Sequence, residues 1–178
     1  PPHIAAGANL SFFPMGHLFR HSGAFFIRRR IGGDKLYGFV LAQYIRKLLK
    51  EGHSIEYFIE GGRSRTGKTL MPKFGLLNWV ADAIVGEAVR EVKIIPIALT
   101  YERIMEVEGY ARELAGKDKR KENLTGLVKS AEVLDSRYGR LYVTAGRPIN
   151  AAEFFEKTAR KPRGDLTETE KKYLVNKL

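Results

Sequence analysis

An α/β layered domain, with a mixed central sheet flanked by helices, is the architecture this sequence predicts. Three observations carry that expectation. Short apolar runs of strand length alternate with longer amphipathic stretches along the whole chain. Loops rich in glycine and charge follow the apolar runs, where α/β proteins place their binding residues. At 178 residues, 44% apolar and 29% charged, the chain has material for one hydrophobic core and no sign of low complexity.

Taken in order, His3 to Ala6 reads as a short strand and Asn9 to His21 as a helix entered through Asn9. Gly23 to Arg29, rich in Phe and Ile, is the next strand. Asp34 to Glu51 reads as a helix: Asp34 can cap it, Gly52 ends it, and Leu36, Val40, Ile45, Leu48 and Leu49 fall mostly on one face. Ile55 to Glu60 is a strand leading into a Gly/Arg/Ser loop, and Gly75 to Val89 a helix. Val92 to Tyr101 is a strongly apolar strand interrupted by Pro96, which marks a bulge or a departure from the ladder. Helical patterns cover Glu102 to Ala115 and Asn123 to Tyr138, with the basic stretch Gly116 to Lys121 as an exposed loop. Leu141 to Ala145 is the last strand. A helix starts at Ala151, and Thr167-Glu168-Thr169-Glu170 is a capping box opening a final one. The division expected is a main domain over 1–150 and a helical C-terminal extension over 151–178, with the chain cut at both ends.

Composition narrows the functional classes. Without cysteine there is no disulfide scaffold, zinc-thiolate site or cysteine nucleophile, which suits a reducing intracellular compartment. The formal net charge of +11 fits three kinds of partner: nucleic acid, an anionic membrane surface or an acidic substrate. Acidic residues interleave with the basic ones and no nucleic-acid motif stands out, so a basic nucleic-acid-binding module is the weaker reading. No apolar run reaches the ~18 residues a spanning helix needs.

Chemistry concentrates after Glu60. Glu60, Gly61, Gly62, Arg63, Ser64, Arg65, Thr66, Gly67 and Lys68 put two permissive glycines beside forked guanidinium donors that match phosphate geometry. Glu60 is expected to be held by one of those arginines. The physical reading is an anion site for a phosphate monoester. Gly62 to Thr69 also satisfies the pattern of a nucleotide-binding loop, but that loop must open a helix. Pro72 and Gly75 are poor residues for such a helix, and no later strand ends in an aspartate to hold Mg²⁺.

Phe58-Ile59-Glu60-Gly61-Gly62-Arg63-Ser64-Arg65 resembles the third motif of the glycerol-3-phosphate acyltransferase family. Gly23-Ala24-Phe25-Phe26-Ile27-Arg28 resembles its second motif, and Val92-Lys93-Ile94-Ile95-Pro96-Ile97 its fourth. The flanking segments His3 to Leu10, Gly33 to Tyr37 and Tyr101 to Leu114 are similar too, so the resemblance covers roughly residues 3 to 150. Pro72 to Leu77 resembles the dihydroxyacetone-phosphate acyltransferases at least as well.

The resemblance implies transfer of a fatty acyl group from acyl-CoA or acyl-carrier protein to the sn-1 hydroxyl of glycerol 3-phosphate, the first step of phospholipid synthesis. Dihydroxyacetone phosphate is the alternative acceptor. No cofactor is implied beyond the acyl-donor co-substrate, and the work would be done at an anionic membrane, on the cytoplasmic face of the inner membrane. By the family's pattern Arg28, Arg63 and Arg65 hold phosphate, Glu60 and Ser64 shape the glycerol site with Gly61 and Gly62, and Pro96 lines the acyl-donor side. The family's His-x-x-x-x-Asp base is absent: five residues after His3, His17, His21 and His53 stand Ala8, Ser22, Phe26 and Phe58. The expectation is a fragment that binds but scarcely catalyses. Ser64 has no nearby base and reads as a hydrogen-bond donor, not a nucleophile. His17 and His21, one turn apart without an acidic third ligand, read as a helix face.

Overall fold

The computed structural model describes residues 1–28, 33–62, 69–86, 88–89, 91–102 and 139–178. The helix expected over Asn123 to Tyr138, all but the first residue of that over Glu102 to Ala115, and the basic stretch between them lie outside these residues.

Strand β1 (His3–Gly7) lies between two parallel neighbours, β2 (Ala24–Ile27) and β3 (Ile55–Glu56), in the order β2-β1-β3. Ile4 pairs with Ala24 and Gly7 with Ile27 on one side, and His3 with Ile55 on the other. Parallel neighbours require crossover connections, and two helices supply them. The first, α1 (Met15–His21), is shorter than the helix expected from Asn9. Ala8–Leu10 forms a separate 3-10 turn, and Pro14 immediately precedes α1. A proline lacks the N–H and collides with the carbonyl four residues back, so no single helix runs through it.

The second crossover, α2 (Lys35–Lys50), is capped as expected, with the Asp34 carboxylate accepting from Tyr37 N–H at 2.9 Å. Its core-facing row is Leu41, Ile45 and Leu48, spaced i, i+4, i+7, whereas Leu36 and Val40 are 73% and 57% exposed. Val40 sits about 100° round the helix from Leu41, which takes it off the packed face. Helix α3 (Gly75–Val85) starts where the sequence indicates and stops at Gly86, short of Val89.

Pro96 splits the apolar run that follows. Strand β4 (Lys93–Ile94) pairs antiparallel with β7 (Ile149–Asn150), and β5 (Ile97–Tyr101) pairs antiparallel with β6 (Leu141–Ala145). Having no N–H to give a ladder, Pro96 stands between the two and uses only its carbonyl, which accepts from Gly146 N–H at 2.7 Å. Asn150 then caps α4 (Ala151–Ala159), and Thr167 with Glu170 forms the anticipated capping box on α5 (Glu168–Lys177).

The core lies among the helices. Ile45 of α2, Leu77, Val80 and Ile84 of α3, Phe155 of α4, and Leu174 and Val175 of α5 form one buried cluster, with Phe25 of β2 and Ile55 of β3 packed against it. Lys171 of α5 is buried at its edge, clasped by Asp82 of α3 and, at 2.7 Å, by Glu168. By contrast β5 and β6 are exposed along their whole length. Among the described residues no helix is long and apolar enough to cross a membrane.

Candidate active site

Because β1, β2 and β3 are parallel, their carboxyl ends share one edge of the sheet. Arg28 follows β2 at that edge, and the Glu60-Gly61-Gly62 segment follows β3 on the other side of β1. The topology therefore brings Arg28 and the Glu60-Gly61-Gly62 segment to the edge where α/β folds bind ligands.

Arg28 is held from two directions. Its Nη1 donates to Asp34 Oδ2 at 3.0 Å, and its guanidinium carbon lies 4.5 Å from the centre of the Tyr37 ring. The Arg28 backbone N–H also donates to Tyr37 Oη at 3.2 Å. Asp34 does two jobs, since one carboxylate oxygen caps α2 while the other pairs with Arg28. Stacking and pairing fix the plane of the fork, and the Arg28 side chain remains 61% exposed, open to an anion from solvent. Sequence reasoning missed Asp34 and Tyr37 as orienting residues. The available signal was their spacing, a cap and an aromatic in the first turn of the helix that follows Arg28.

The strand expected over Ile55 to Glu60 ends at Glu56, and Glu60 stands in a turn rather than at a strand end. Tyr57 packs on the core, and burial pushes its hydroxyl up to about 12. Beyond it the backbone folds over: Gly61 N–H donates to the Phe58 carbonyl at 3.0 Å, with Gly61 at φ +60°. That left-handed conformation suits glycine and is why one stands here. The returning chain is tied to the same turn, Lys73 N–H donating to the Ile59 carbonyl at 2.8 Å. Lys73, a third residue the sequence reading did not place in the site, lays its side chain across Gly61.

The remaining candidates fall elsewhere. Arg63, Ser64 and Arg65, and with them the expected arginine partner of Glu60, lie outside the described residues. Pro96 belongs to neither motif of the parallel edge; it stands between the two antiparallel ladders, against Gly146. The rings of His17 and His21 meet on α1 with centres 4.2 Å apart and planes tilted by 49°, and His21 Nδ1 lies 2.9 Å from the His17 carbonyl oxygen, as a helix face would place them.

An α/β domain with these motifs at one parallel edge defines a class, and comparison with known proteins gives the family. Residues 1–100 match the acyltransferase family model, and residues 110–178 match the glycerol-3-phosphate acyltransferase C-terminal region. The chain belongs to the acyltransferase family. Among its relatives are proteins named glycerol-3-phosphate acyltransferase from Pseudoalteromonas translucida, 44% identical over 96% of this chain, and Shewanella denitrificans, 45% identical over 93%. A protein of the same name from Shewanella frigidimarina is 44% identical over 93%. The chain spans about a fifth of the length of these relatives, 20–21% of each.

Proposed function

We propose that this chain is the acceptor-binding part of an enzyme that moves a fatty acyl group from a thioester donor, acyl-CoA or acyl-carrier protein, to the sn-1 hydroxyl of glycerol 3-phosphate. The observation that carries the reading is the pairing of Arg28 and the Glu60-Gly61-Gly62 turn at one carboxyl edge, within a chain whose relatives bear that enzyme's name. A phosphate monoester is the ligand such a fork recognises. Arg28 sets the phosphate, while Glu60, Gly61, Gly62, Arg63, Ser64 and Arg65 complete the acceptor site and Pro96 serves the donor side. In the same reading the basic surface meets an anionic membrane, the destination of an acylated glycerol phosphate.

The experiment is steady-state kinetics of Arg28→Ala in the full-length enzyme. The expected result is a rise in KM for glycerol 3-phosphate equivalent to about 2–3 kcal/mol of lost binding, with a much smaller change in KM for the acyl donor. Arg28→Lys should recover only part of the loss, because a point charge cannot reproduce the fork. An unchanged acceptor KM in Arg28→Ala would remove the residue from the site.

A further inference from the structure

We propose that Lys73 is a further phosphate-binding cation of this site, its ammonium working above Gly61 on a phosphate group of one of the two substrates. The inference rests on the acceptor-site reading above and adds a residue to which the sequence reading gave no role.

Three observations combine. First, the Lys73 backbone is fixed beside the turn: its N–H donates to the Ile59 carbonyl at 2.8 Å, which ties the returning chain to the turn that carries Glu60 and Gly61. Second, the side chain, though exposed, lies along the surface of the loop. A Cβ built on Gly61 would lie 3.9 Å from Lys73 Cβ, 3.0 Å from Cδ and 3.7 Å from Nζ, so the lysine runs its length across the bare face of the glycine. Gly61 thus serves two purposes, the left-handed turn and a groove for the lysine stem.

Third, the ammonium has no anion of its own. Among the described residues Lys47, Lys93, Lys157, Lys161 and Lys171 each pair with a carboxylate, whereas Lys73, like Lys35 and Lys50, pairs with none; Lys73 differs from those two in lying over the turn. A lysine kept for solubility gains nothing from lying down on a binding loop. An ammonium beside this turn without a carboxylate is available to an external anion. Phosphate is the shared chemistry, and it has two sources, the monoester of the acceptor and the phosphates of the acyl donor.

The test is steady-state kinetics of Lys73→Gln and Lys73→Arg in the full-length enzyme, varying acceptor and donor separately, with Arg28→Ala alongside. Lys73→Gln should raise KM for one phosphate-bearing substrate by about tenfold while kcat and thermal stability stay near the parent values. Lys73→Arg should restore most of that loss. A rise confined to glycerol 3-phosphate assigns the ammonium to the acceptor, and one confined to the thioester assigns it to the donor. If both KM values are unchanged in Lys73→Gln while Arg28→Ala raises the acceptor KM, the proposal is wrong and the acceptor site stands. If Arg28→Ala is silent too, the site itself has been misread. A fall in melting temperature that Lys73→Arg does not rescue would mark a structural lysine and equally overturn the proposal.

Discussion

Arg28 and Lys171 are both cations bound to an aspartate, yet the protein treats them in opposite ways. Arg28 and Asp34 meet at the open edge of the parallel sheet with side chains 61% and 48% exposed. Lys171 is sealed between α3 and α5 with 8% of its side chain exposed, against Asp82 and Glu168. Exposed pairs are worth little and exchange readily with solvent or ligand. A buried ammonium cannot shed its partners without losing its solvation as well. The first arrangement suits a residue that must release a carboxylate to receive a phosphate, and the second suits one that must never move.

The largest effect should come from the sealed end. For Lys171 burial works against the charged form, but hydrogen bonds and charge from Asp82 and Glu168 outweigh it and hold the pKa above the usual lysine value. Lys171→Ala removes the clasp and opens a gap between α3 and α5. The expected loss is about 2–3 kcal/mol, below that of a fully buried pair because Asp82 and Glu168 stay partly hydrated. Thermal and denaturant unfolding measure it. A variant as stable as the parent would show that helix packing alone holds this end.

An intermediate effect belongs to the cap on the same helix. Thr167 Oγ1 accepts from Glu170 N–H, and the Glu170 carboxylate accepts from Thr167 N–H at 2.9 Å. Thr167→Ala should cost about 1 kcal/mol at neutral pH. The acidic half of the box adds a pH dependence. A hydrogen bond from Lys161, joined by two from Thr167, lowers the Glu170 carboxyl from 4.5 to about 2. A folded pKa below the ordinary one stabilises fully above 4.5, and that contribution drains away as the pH falls toward 2. The stability gap between the parent and Glu170→Gln should therefore narrow across that window. A gap that stays constant through it would mean that the charge of Glu170 contributes nothing.

These local devices were the most legible part of the sequence. Asp34, Asn150 and Thr167 precede their helices and act through bonds three residues away, so spacing alone reveals the Asp34 cap and the Thr167 box. Pro96 was legible as a break because a missing N–H needs no tertiary context. Pro14 carried the same signal, and the expected helix from Asn9 overran it. What sequence could not decide was which face of α2 packs. Leu36, Val40 and Phe39 form as good an apolar row as Leu41, Ile45 and Leu48, and only contact with α3 selects between them. The site divides along the same line. Arg28, Glu60, Gly61 and Gly62 sit in recognisable motifs. Tyr37 under Arg28 and Lys73 over Gly61 join the site through chain reversals that no periodicity encodes.

The smallest effect is also the sharpest separation of the two cations. Asp34→Asn leaves a side-chain oxygen to cap α2, and asparagine caps about as well as aspartate. It deletes the negative charge facing Arg28 and little else, since the cap accepts through Oδ1 and the ion pair uses Oδ2. If Arg28 is held mainly by its stack on Tyr37, Asp34→Asn should unfold within about 0.5 kcal/mol of the parent, as exposed ion pairs do. Urea denaturation with unchanged m-value is the measurement. A loss above about 1 kcal/mol would place the Arg28 pair with the Lys171 clasp as part of the frame. Arg28 would then be committed to Asp34, and a phosphate arriving at this edge would have to compete with folding itself.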